Sequence, residues 1–418
     1  GVHDTYCFNE PLRHMGVFNG ILTGQCAEIQ EVSNAKSYAN CTLASISVRA
    51  FWDGSKYNFQ ALHDAARMVI RNLDEIVDIN KYPVSECVEN AKTLRPIAVG
   101  IQGLADLFCM MRIPFTSPRA EKMDCAIAET IYHAAVEESC DRAEKLGAYP
   151  LFRGSPASEG ILQFDLYKRN LQYIGKDGRI PFSGMYDWAT LKQRVQQHGL
   201  RNSLLVAYMP TVTTSQIMGN NESFEPFNSN IYTKTTLAGK FTITNTYMIR
   251  HLMELGLWTE DIRNRIITSN GSVQGINEIP ENVRAIYLTT WEISQSELMR
   301  RSAQRSAFID QSSSLNLHIR DNSDSVLRRI IVDGHALGHK TNSYYIRTRT
   351  ASSALKNNIA SSAQTAASLT APPVTAPLVT IVPEVAAGGV PDLTAGRIPE
   401  PEADNRTDSC GIGGSCSG

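Results

Sequence analysis

Amphipathic helix patterns alternate with short apolar runs along most of this chain, and the alternation limits the folds open to it. Residues 58–79 repeat apolar side chains at helical spacing, with charged residues between them. We therefore predict an amphipathic helix over these residues. Its apolar positions are Leu62, Ala65, Val69, Leu73 and Ile76.

Three further segments continue the pattern. Residues 95–108, RPIAVGIQGLADLF, are apolar and punctuated by glycine, which predicts a strand or buried turn leading into a helix. A second long helix is expected to begin with Ser117 as N-cap and Pro118 at its first position, and to end at Gly147. Residues 204–209, LLVAYM, predict a strand. Helices and short strands in alternation predict an α/β fold with mainly parallel strands.

Residues 23–47 hold a cluster of reactive side chains. Cys26 and Glu28 stand two residues apart, and Cys41 follows later in the same stretch. Residues i and i+2 of a strand project from the same face, so an extended segment would direct this thiol and carboxylate into one space. A thiol that exchanges a hydrogen atom, an acid–base group and a reducing thiol make a radical redox site. The alternative is ordinary packing, because free cysteine is among the most often buried residues.

A hydroxyl-rich segment follows the predicted strand 204–209. After Pro210 it places three threonines and a serine before a short helical pattern, and such hydroxyls together with free backbone N–H groups make an anion site. A diphosphate-bearing substrate is one hypothesis, and simple N-capping of the helix is the other. The segment is Thr211, Val212, Thr213, Thr214 and Ser215.

The C-terminal part of the chain changes character. Residues 342–350, NSYYIRTRT, are rich in strand formers and carry the adjacent pair Tyr344 and Tyr345, for which packing in a strand is the simplest role. Residues 351–405 are rich in Ala, Ser, Thr and Pro and predict a disordered linker. Residues 406–418 then carry Cys410 and Cys416 among glycines and serines, which favours a mobile dithiol over a packed pair.

Composition excludes several classes of protein. A net charge of −2 over 418 residues gives no electrostatic footprint for nucleic acid, and no apolar run reaches the roughly 18 residues of a membrane span. Nine irregularly spaced cysteines without a signal-peptide pattern predict a reducing, cytoplasmic location. No CxxC pair typical of a metal site and no phosphate-binding glycine loop is present, so neither a metal nor a cofactor is expected on the chain itself. The first residue is Gly1, which predicts a fragment or a processed piece.

Taken together, these segments resemble the large catalytic subunit of class I ribonucleotide reductase, in its eukaryotic and viral form. The resemblance covers most of residues 20–350. It is carried by CAEI with NCTLASI, RPIAVGIQGLAD, LRNSLLVAYMPTVTTSQIMGNNESFEPFNSNIYT, WEISQ, AFIDQSSSLNLHI and YYIRTR. It implies that residues 1–350 form the C-terminal part of a ten-stranded α/β barrel, followed by the linker and the dithiol tail.

The resemblance implies a role for each matching residue. Cys26 would form the thiyl radical that abstracts the 3′ hydrogen of the ribose, with Glu28 as general base on the 3′ hydroxyl and Cys41 as one of two reducing thiols. Tyr344 and Tyr345 would relay the radical from a metal-containing small subunit. Residues 211–215 would bind the substrate diphosphate. Cys410 and Cys416 would reduce the active-site disulfide and be reset by thioredoxin or glutaredoxin.

Three features depart from the family pattern. Gly24 stands where the family has an asparagine that contacts the ribose, with Gln25 beside it as a candidate substitute. The tail cysteines are more widely spaced than is usual in the family. The family's N-terminal half, with the other reducing cysteine and the sites for ATP and deoxynucleotide effectors, has no counterpart here, which predicts either a fragment or a separate N-terminal polypeptide.

Two alternative functions remain open from the sequence. A non-catalytic paralogue would bind nucleotide or the small subunit as a scaffold, which Gly24 and the missing half favour. A thiol oxidoreductase would use only Cys410 and Cys416, and leaves the resemblance of residues 204–350 unexplained. The leading hypothesis is ribonucleoside diphosphate reduction by a homodimeric large subunit working with its small subunit.

Overall fold

The computed structural model describes residues 15–18, 21–24, 27–173, 179–236, 239–321 and 323–348. The chain divides into two units, one of Gly1–Gln25 with Ala363–Gly418 and the other of Cys26–Ser362. In the first unit the described residues form an antiparallel hairpin. Gln25, Cys26, the linker at 351–405 and the tail with Cys410 and Cys416 lie outside the described residues, so the predictions made for them stay predictions.

Short strands and helices alternate through the described residues. The strands are β1 (Met15–Phe18), β2 (Ile21–Gly24), β3 (Leu43–Ser47), β4 (Ala98–Gln102), β5 (Ile231–Thr236), β6 (Gly239–Thr244), β7 (Leu317–Ile319) and β8 (Ile346–Thr348). The helices are α1 (Phe59–Ile79), α2 (Ser85–Thr93), α3 (Leu104–Met110), α4 (Pro118–Leu146), α5 (Gln163–Tyr173), α6 (Trp188–His198), α7 (Thr214–Ile217), α8 (Thr246–Glu254), α9 (Glu260–Thr268), α10 (Glu281–Ile286), α11 (Gln295–Arg305) and α12 (Asp324–Ala336).

Four parallel segments form the centre of the larger unit. β3 pairs with β4 from Leu43↔Ala98 to Ser47↔Gln102. β4 continues to the segment 204–208 through the bridge Val99↔Val206, and that segment reaches the next through Tyr208↔Ser313. The predicted α/β fold with parallel strands is therefore confirmed for this ladder, and β7 with β8 adds a parallel pair. The hairpins β1–β2 and β5–β6 are antiparallel, which the sequence did not predict.

The two long helices match their predictions. α1 begins after Asn58, whose side chain accepts a hydrogen bond from the Ala61 backbone N–H at 3.0 Å. α4 begins at Pro118 after the N-cap Ser117 and ends at Gly147, whose φ of 87° suits glycine. α1 packs against α4 and against β3 and β4 of the ladder. Cys87, Cys109, Cys125 and Cys140 lie buried in helices.

Two strand predictions were wrong in extent. Residues 204–209 form isolated bridges instead of a strand, because the Asp310 carboxylate accepts hydrogen bonds from the backbone N–H groups of Leu205 and Val206, at 2.9 and 2.8 Å. A side chain thus takes bonds that a neighbouring strand would otherwise make. The tyrosine pair precedes β8 instead of lying within it.

Candidate functional site

Polar side chains meet where the parallel segments end. Asn220 lies among them: its amide nitrogen donates to Ser47 Oγ at 2.9 Å and to Gln102 Oε1 at 3.0 Å, and its amide oxygen accepts from Arg49 Nε. Gly103 follows β4 with φ 79°, and a Cβ there would lie 3.2 Å from the Asn220 side chain. The carboxyl ends of parallel strands are the usual place for a ligand in α/β sheets.

The hydroxyl-rich segment 211–215 separates into buried and exposed members. Thr211 and Ser215 are buried, whereas Val212, Thr213 and Thr214 are exposed. Thr211 Oγ1 accepts a hydrogen bond from the backbone N–H of Ser223 at 2.8 Å. Thr213 is the N-cap of α7 and makes no side-chain capping bond within the described residues. Simple N-capping therefore does not account for this cluster.

Two buried hydroxyls of this region, Ser215 Oγ and Ser223 Oγ, have no hydrogen-bond partner within the described part of the chain. Ser223 is attached to the segment by the bond from its backbone N–H to Thr211. Buried polar groups are almost always paired, so unpaired ones indicate a missing ligand or ordered water.

Glu28 is buried against the last segment of the ladder. Ser314 Oγ donates a hydrogen bond to its carboxylate, and its backbone carbonyl accepts from the Ser312 N–H at 2.9 Å. Ala27 and Glu28 form a bend, so the extended geometry predicted for residues 26–28 is wrong for the part that is described. The carboxylate is nevertheless fixed in position, as a general base requires.

Cys41 lies at the opposite end of β3 from Arg49 and is exposed. The segment after Glu28 reaches it: the Glu31 carboxylate accepts a hydrogen bond from the Asn40 N–H at 3.1 Å. Burial raises the pKa of Glu31 to about 7. This hydrogen bond joins the segment that follows Glu28 to the backbone one residue before Cys41. Gly24 ends β2 in the other unit, paired with Met15.

Tyr344 and Tyr345 contact each other and the same ladder segment as Glu28. Their ring centroids are 4.1 Å apart. The Tyr344 N–H donates to the Leu315 carbonyl at 2.7 Å, and the Tyr345 carbonyl accepts from the Leu317 N–H at 2.8 Å. Residues 312–317 thus touch Glu28 on one side and the tyrosine pair on the other.

Sequence reasoning missed two groups beside the site. Glu225 is buried, accepts a hydrogen bond from the Asn316 N–H at 3.1 Å, and burial raises its pKa to about 7. Lys340 Nζ donates to the backbone carbonyls of Asp310 and Gln311 at 2.5 and 2.7 Å, four residues before the tyrosine pair. A carboxylate between Phe and Pro in the SFEPF sequence was the available signal for Glu225.

A cluster with metal-ligand spacing lies elsewhere, between α1 and α4, and consists of His63, His133 and Glu137. None of the described helices combines the length and the apolar composition needed to cross a membrane.

Comparison with known proteins was made for the sequence and for the fold. The sequence model of the family described as ribonucleotide reductase, barrel domain, matches residues 21–345. The ribonucleoside-diphosphate reductase large chain of Schizosaccharomyces pombe is 46% identical over 331 residues, which cover 79% of this chain and 40% of that protein. The large subunit of variola virus is 44% identical over 331 residues, covering 79% and 41% of the two chains.

A solved structure supports the same fold. The Actinobacillus ureae class Id ribonucleotide reductase alpha subunit superposes with a TM-score of 0.57 at 22% identity, covering 78% of this chain and 53% of that one. The chain spans about two-fifths of the length of the curated relatives it matches.

Proposed function

The chain belongs to the ribonucleotide reductase barrel-domain family, and we propose that it is the C-terminal part of a catalytic large subunit that reduces ribonucleoside diphosphates to 2′-deoxyribonucleoside diphosphates. Two observations support this proposal: the buried hydroxyls of Ser215 and Ser223 have no hydrogen-bond partner within the described residues, and the Glu28 carboxylate is fixed by Ser314. A substrate with a diphosphate and ribose hydroxyls supplies the missing hydrogen-bond partners.

In the proposed reaction a thiyl radical on Cys26 takes the 3′ hydrogen atom, while Glu28 takes the proton of the 3′ hydroxyl. The 2′ hydroxyl then leaves as water, and Cys41 with a second thiol supplies the two electrons and becomes a disulfide. Cys26 returns the hydrogen atom to C3′ and is a radical again. The fixed orientation of Glu28 by Ser314 supports its part, because a base must first lie within hydrogen-bond reach.

The diphosphate is assigned to residues 211–215, with Gly24 and Gln25 near the ribose. Within the segment, Thr211 and Ser215 are buried, and Ser215 Oγ has no hydrogen-bond partner among the described residues. Val212, Thr213 and Thr214 offer backbone N–H groups and hydroxyls on the exposed side.

Radical transfer is assigned to Tyr345 and Tyr344, from a metal-containing small subunit. The ring contact of 4.1 Å between them supports electron exchange, and their segment is attached to the residues that hold Glu28. Cys410 and Cys416 then reduce the active-site disulfide, with thioredoxin or glutaredoxin as the final reductant. The protein is proposed to act in the cytoplasm as a homodimer, with ATP and deoxynucleotide effectors bound by an N-terminal part in the same or a separate polypeptide.

A turnover assay tests this proposal. The chain is combined with the N-terminal part, the small subunit and a dithiol, and deoxyribonucleoside diphosphate is measured. Cys26→Ser is expected to abolish product, whereas Cys87→Ser, a buried cysteine of α2, retains it. Absence of product from the complete parent assembly, with nucleotide still bound, would identify a scaffold. Dithiol exchange by the isolated tail at the rate of the whole chain would identify a thiol oxidoreductase.

A further inference from the structure

Two imidazoles and a carboxylate meet between α1 and α4, away from the ends of the parallel segments. His63 lies on α1, and His133 and Glu137 lie one turn apart on α4, so they share a face of that helix. His63 Nε2 is 2.9 Å from His133 Nδ1 and 3.8 Å from Glu137 Oε2. One ligand atom from each residue lies within 4.8 Å of the other two.

These distances are close to those around a four-coordinate metal ion. Nitrogen and oxygen ligands at about 2.0–2.1 Å from zinc in tetrahedral geometry lie about 3.3 Å from one another. The distance between the imidazole nitrogens of His63 and His133 is shorter than this, and that between His63 and Glu137 is longer, each by about half an ångström. The remaining separation, between the ligand atoms of His133 and Glu137, is no more than 4.8 Å, and side-chain rotation has to bring these two atoms to the same spacing around one ion.

Aromatic rings hold the two imidazoles in place. The Tyr186 ring stacks against His133 with centroids 4.4 Å apart and against His63 at 5.7 Å. The Trp188 ring contacts His133 edge-on at 5.0 Å. Tyr186 is itself anchored, because its hydroxyl donates to Thr130 Oγ1 at 2.9 Å. Ligands held in this way lose little conformational entropy on binding a metal.

The carboxylate is also oriented. Arg67 Nη1 donates to Glu137 Oε2 at 2.8 Å, and the same guanidinium contacts Glu138 and Asp141. A carboxylate has two oxygens and about four lone-pair positions, so it can contact both Arg67 and a metal ion. Arg67 thus orients the Glu137 carboxylate through a hydrogen bond. In known metal sites, residues that do not touch the metal orient the ligands in the same way.

We propose that His63, His133 and Glu137 bind a divalent transition-metal ion of the zinc type, with water completing its coordination. Two imidazoles and one carboxylate suit zinc, whereas calcium and magnesium prefer oxygen alone. The ion would link α1 to α4, and its role is to stabilise this helix pair.

Cobalt titration of the complete 418-residue chain tests the proposal. The protein is stripped of metal with a chelator and titrated with Co²⁺ in buffer without thiols, and absorption and heat are followed. We expect one ion per chain with a dissociation constant on the order of 1 µM or lower, and visible bands of a tetrahedral ion. Zinc at a hundred times its dissociation constant is expected to raise the unfolding midpoint by about 5 °C.

Matched variants separate this site from the cysteines. His133→Phe keeps an aromatic ring beside Tyr186 and is expected to weaken cobalt binding more than 100-fold, and Glu137→Gln to weaken it about 10-fold, in line with the loss of metal-site partners. The control is His198→Phe. His198 lies on α6, 3.9 Å from Glu144, and is not part of a three-ligand cluster among the described residues. This variant should leave binding unchanged.

Two outcomes would overturn the proposal. Cobalt bands accompanied by strong near-ultraviolet charge-transfer absorption, and unchanged in His133→Phe, would place the ion on cysteine thiolates. Absence of binding by the parent chain below about 100 µM, with no change in the unfolding midpoint, would leave an ordinary hydrogen-bonded histidine pair. Glu137→Gln keeps the falsifiable comparison available if the histidine variant does not fold.

Discussion

The helix pair α1–α4 and the ends of the parallel segments both bury polar side chains, but they pair them differently. In the helix pair, Asp74 is fully buried and both of its oxygens accept hydrogen bonds, Oδ1 from Arg95 at 2.7 Å and Oδ2 from Arg142 at 2.6 Å. At the strand ends, Ser215 is equally buried and its hydroxyl has no partner in the described residues. The buried carboxylate of the helix pair finds its hydrogen-bond partners within the protein, whereas the buried hydroxyl at the strand ends is left for a ligand to pair.

The two regions also differ in their acidic groups. Asp74 faces cations, whereas Glu225 at the strand ends is buried beside a backbone N–H, and its pKa is raised to about 7. Burial without a close cation favours the protonated carboxyl. A ligand site can therefore hold protons near neutral pH, while the scaffold holds fixed charges.

Glu28→Gln gives the largest expected effect and tests whether the strand ends are catalytic. Turnover by the complete assembly should fall by about 10²- to 10⁴-fold, the usual contribution of a general base. The free energy of unfolding should change by less than about 1 kcal/mol, because the amide oxygen can still accept from Ser314. Product formation and urea unfolding measure the two quantities.

The control for that variant is Glu31→Gln, the same change three residues further along. It should keep turnover within a few-fold of the parent. Equal losses of turnover in both variants would show that the segment needs charge in general and that Glu28 has no special role.

Asp74→Asn tests the scaffold. The change keeps the shape of the side chain but leaves Arg95 and Arg142 without their shared charge, and should lower the free energy of unfolding by about 3–5 kcal/mol. Glu75→Gln removes an exposed partner of Arg142 and should cost at most about 1 kcal/mol. Denaturant unfolding of both variants compares them. Similar small losses would contradict the contrast between the regions.

Glu225→Gln tests the proton held at the strand ends. The pKa of Glu225 is about 7 in the folded protein and ordinary in the unfolded chain. As the pH rises from about 4.5 to 7, the free energy of unfolding of the parent should therefore fall relative to that of the variant, by on the order of 3 kcal/mol. Above pH 7 it should stay lower. Below pH 4.5 the carboxyl is protonated in both states and the difference disappears. Urea unfolding across this pH range gives the difference.

A difference between parent and Glu225→Gln that does not vary with pH would show that the carboxyl ionises normally in the folded protein. Glu260→Gln, at an exposed side chain of α9, is the control and should show no pH-dependent difference.

The smallest expected effects come from two fully buried serines. The Ser139 hydroxyl donates a hydrogen bond to Asn202 Oδ1 and accepts one from the Asn202 backbone N–H, each at 3.1 Å. Ser139→Ala should therefore lower the free energy of unfolding by about 1–3 kcal/mol. Ser215→Ala should leave stability within about 0.5 kcal/mol and weaken binding of nucleoside diphosphate about 10-fold. Calorimetry measures both. A stability loss in Ser215→Ala equal to that in Ser139→Ala would remove the distinction.

Local signals in the sequence predicted much of the scaffold. Ser117 and Gly147 gave the ends of α4, because capping depends on neighbouring residues, and the apolar periodicity of residues 58–79 gave the extent of α1. The prediction of the buried face of α1 was less accurate, because Ile76 is 40% exposed whereas the polar Asp74 is buried. Its partners Arg95 and Arg142 are distant in sequence, so periodicity alone could not identify that position.

The candidate site was predicted in its motifs more than in its contacts. Residues 211–215 were recognised as a cluster. Only Thr211 and Ser215 of this cluster are buried, and that depends on Ser223 and the packing around it. Glu225 lies 91 residues from Asn316, the residue that donates to it. Such pairings follow from the tertiary fold, and a single sequence gives no direct signal for them.

The order of the parallel ladder has a consequence for how the protein acquires its fold. Leu43 pairs with Ala98, Val99 with Val206 and Tyr208 with Ser313, so each step closes a loop of between 55 and 107 residues. Contacts this distant in sequence carry a large loop-closure cost and form slowly. During synthesis on the ribosome, the third segment can pair with the fourth only after residues near Ser313 have emerged.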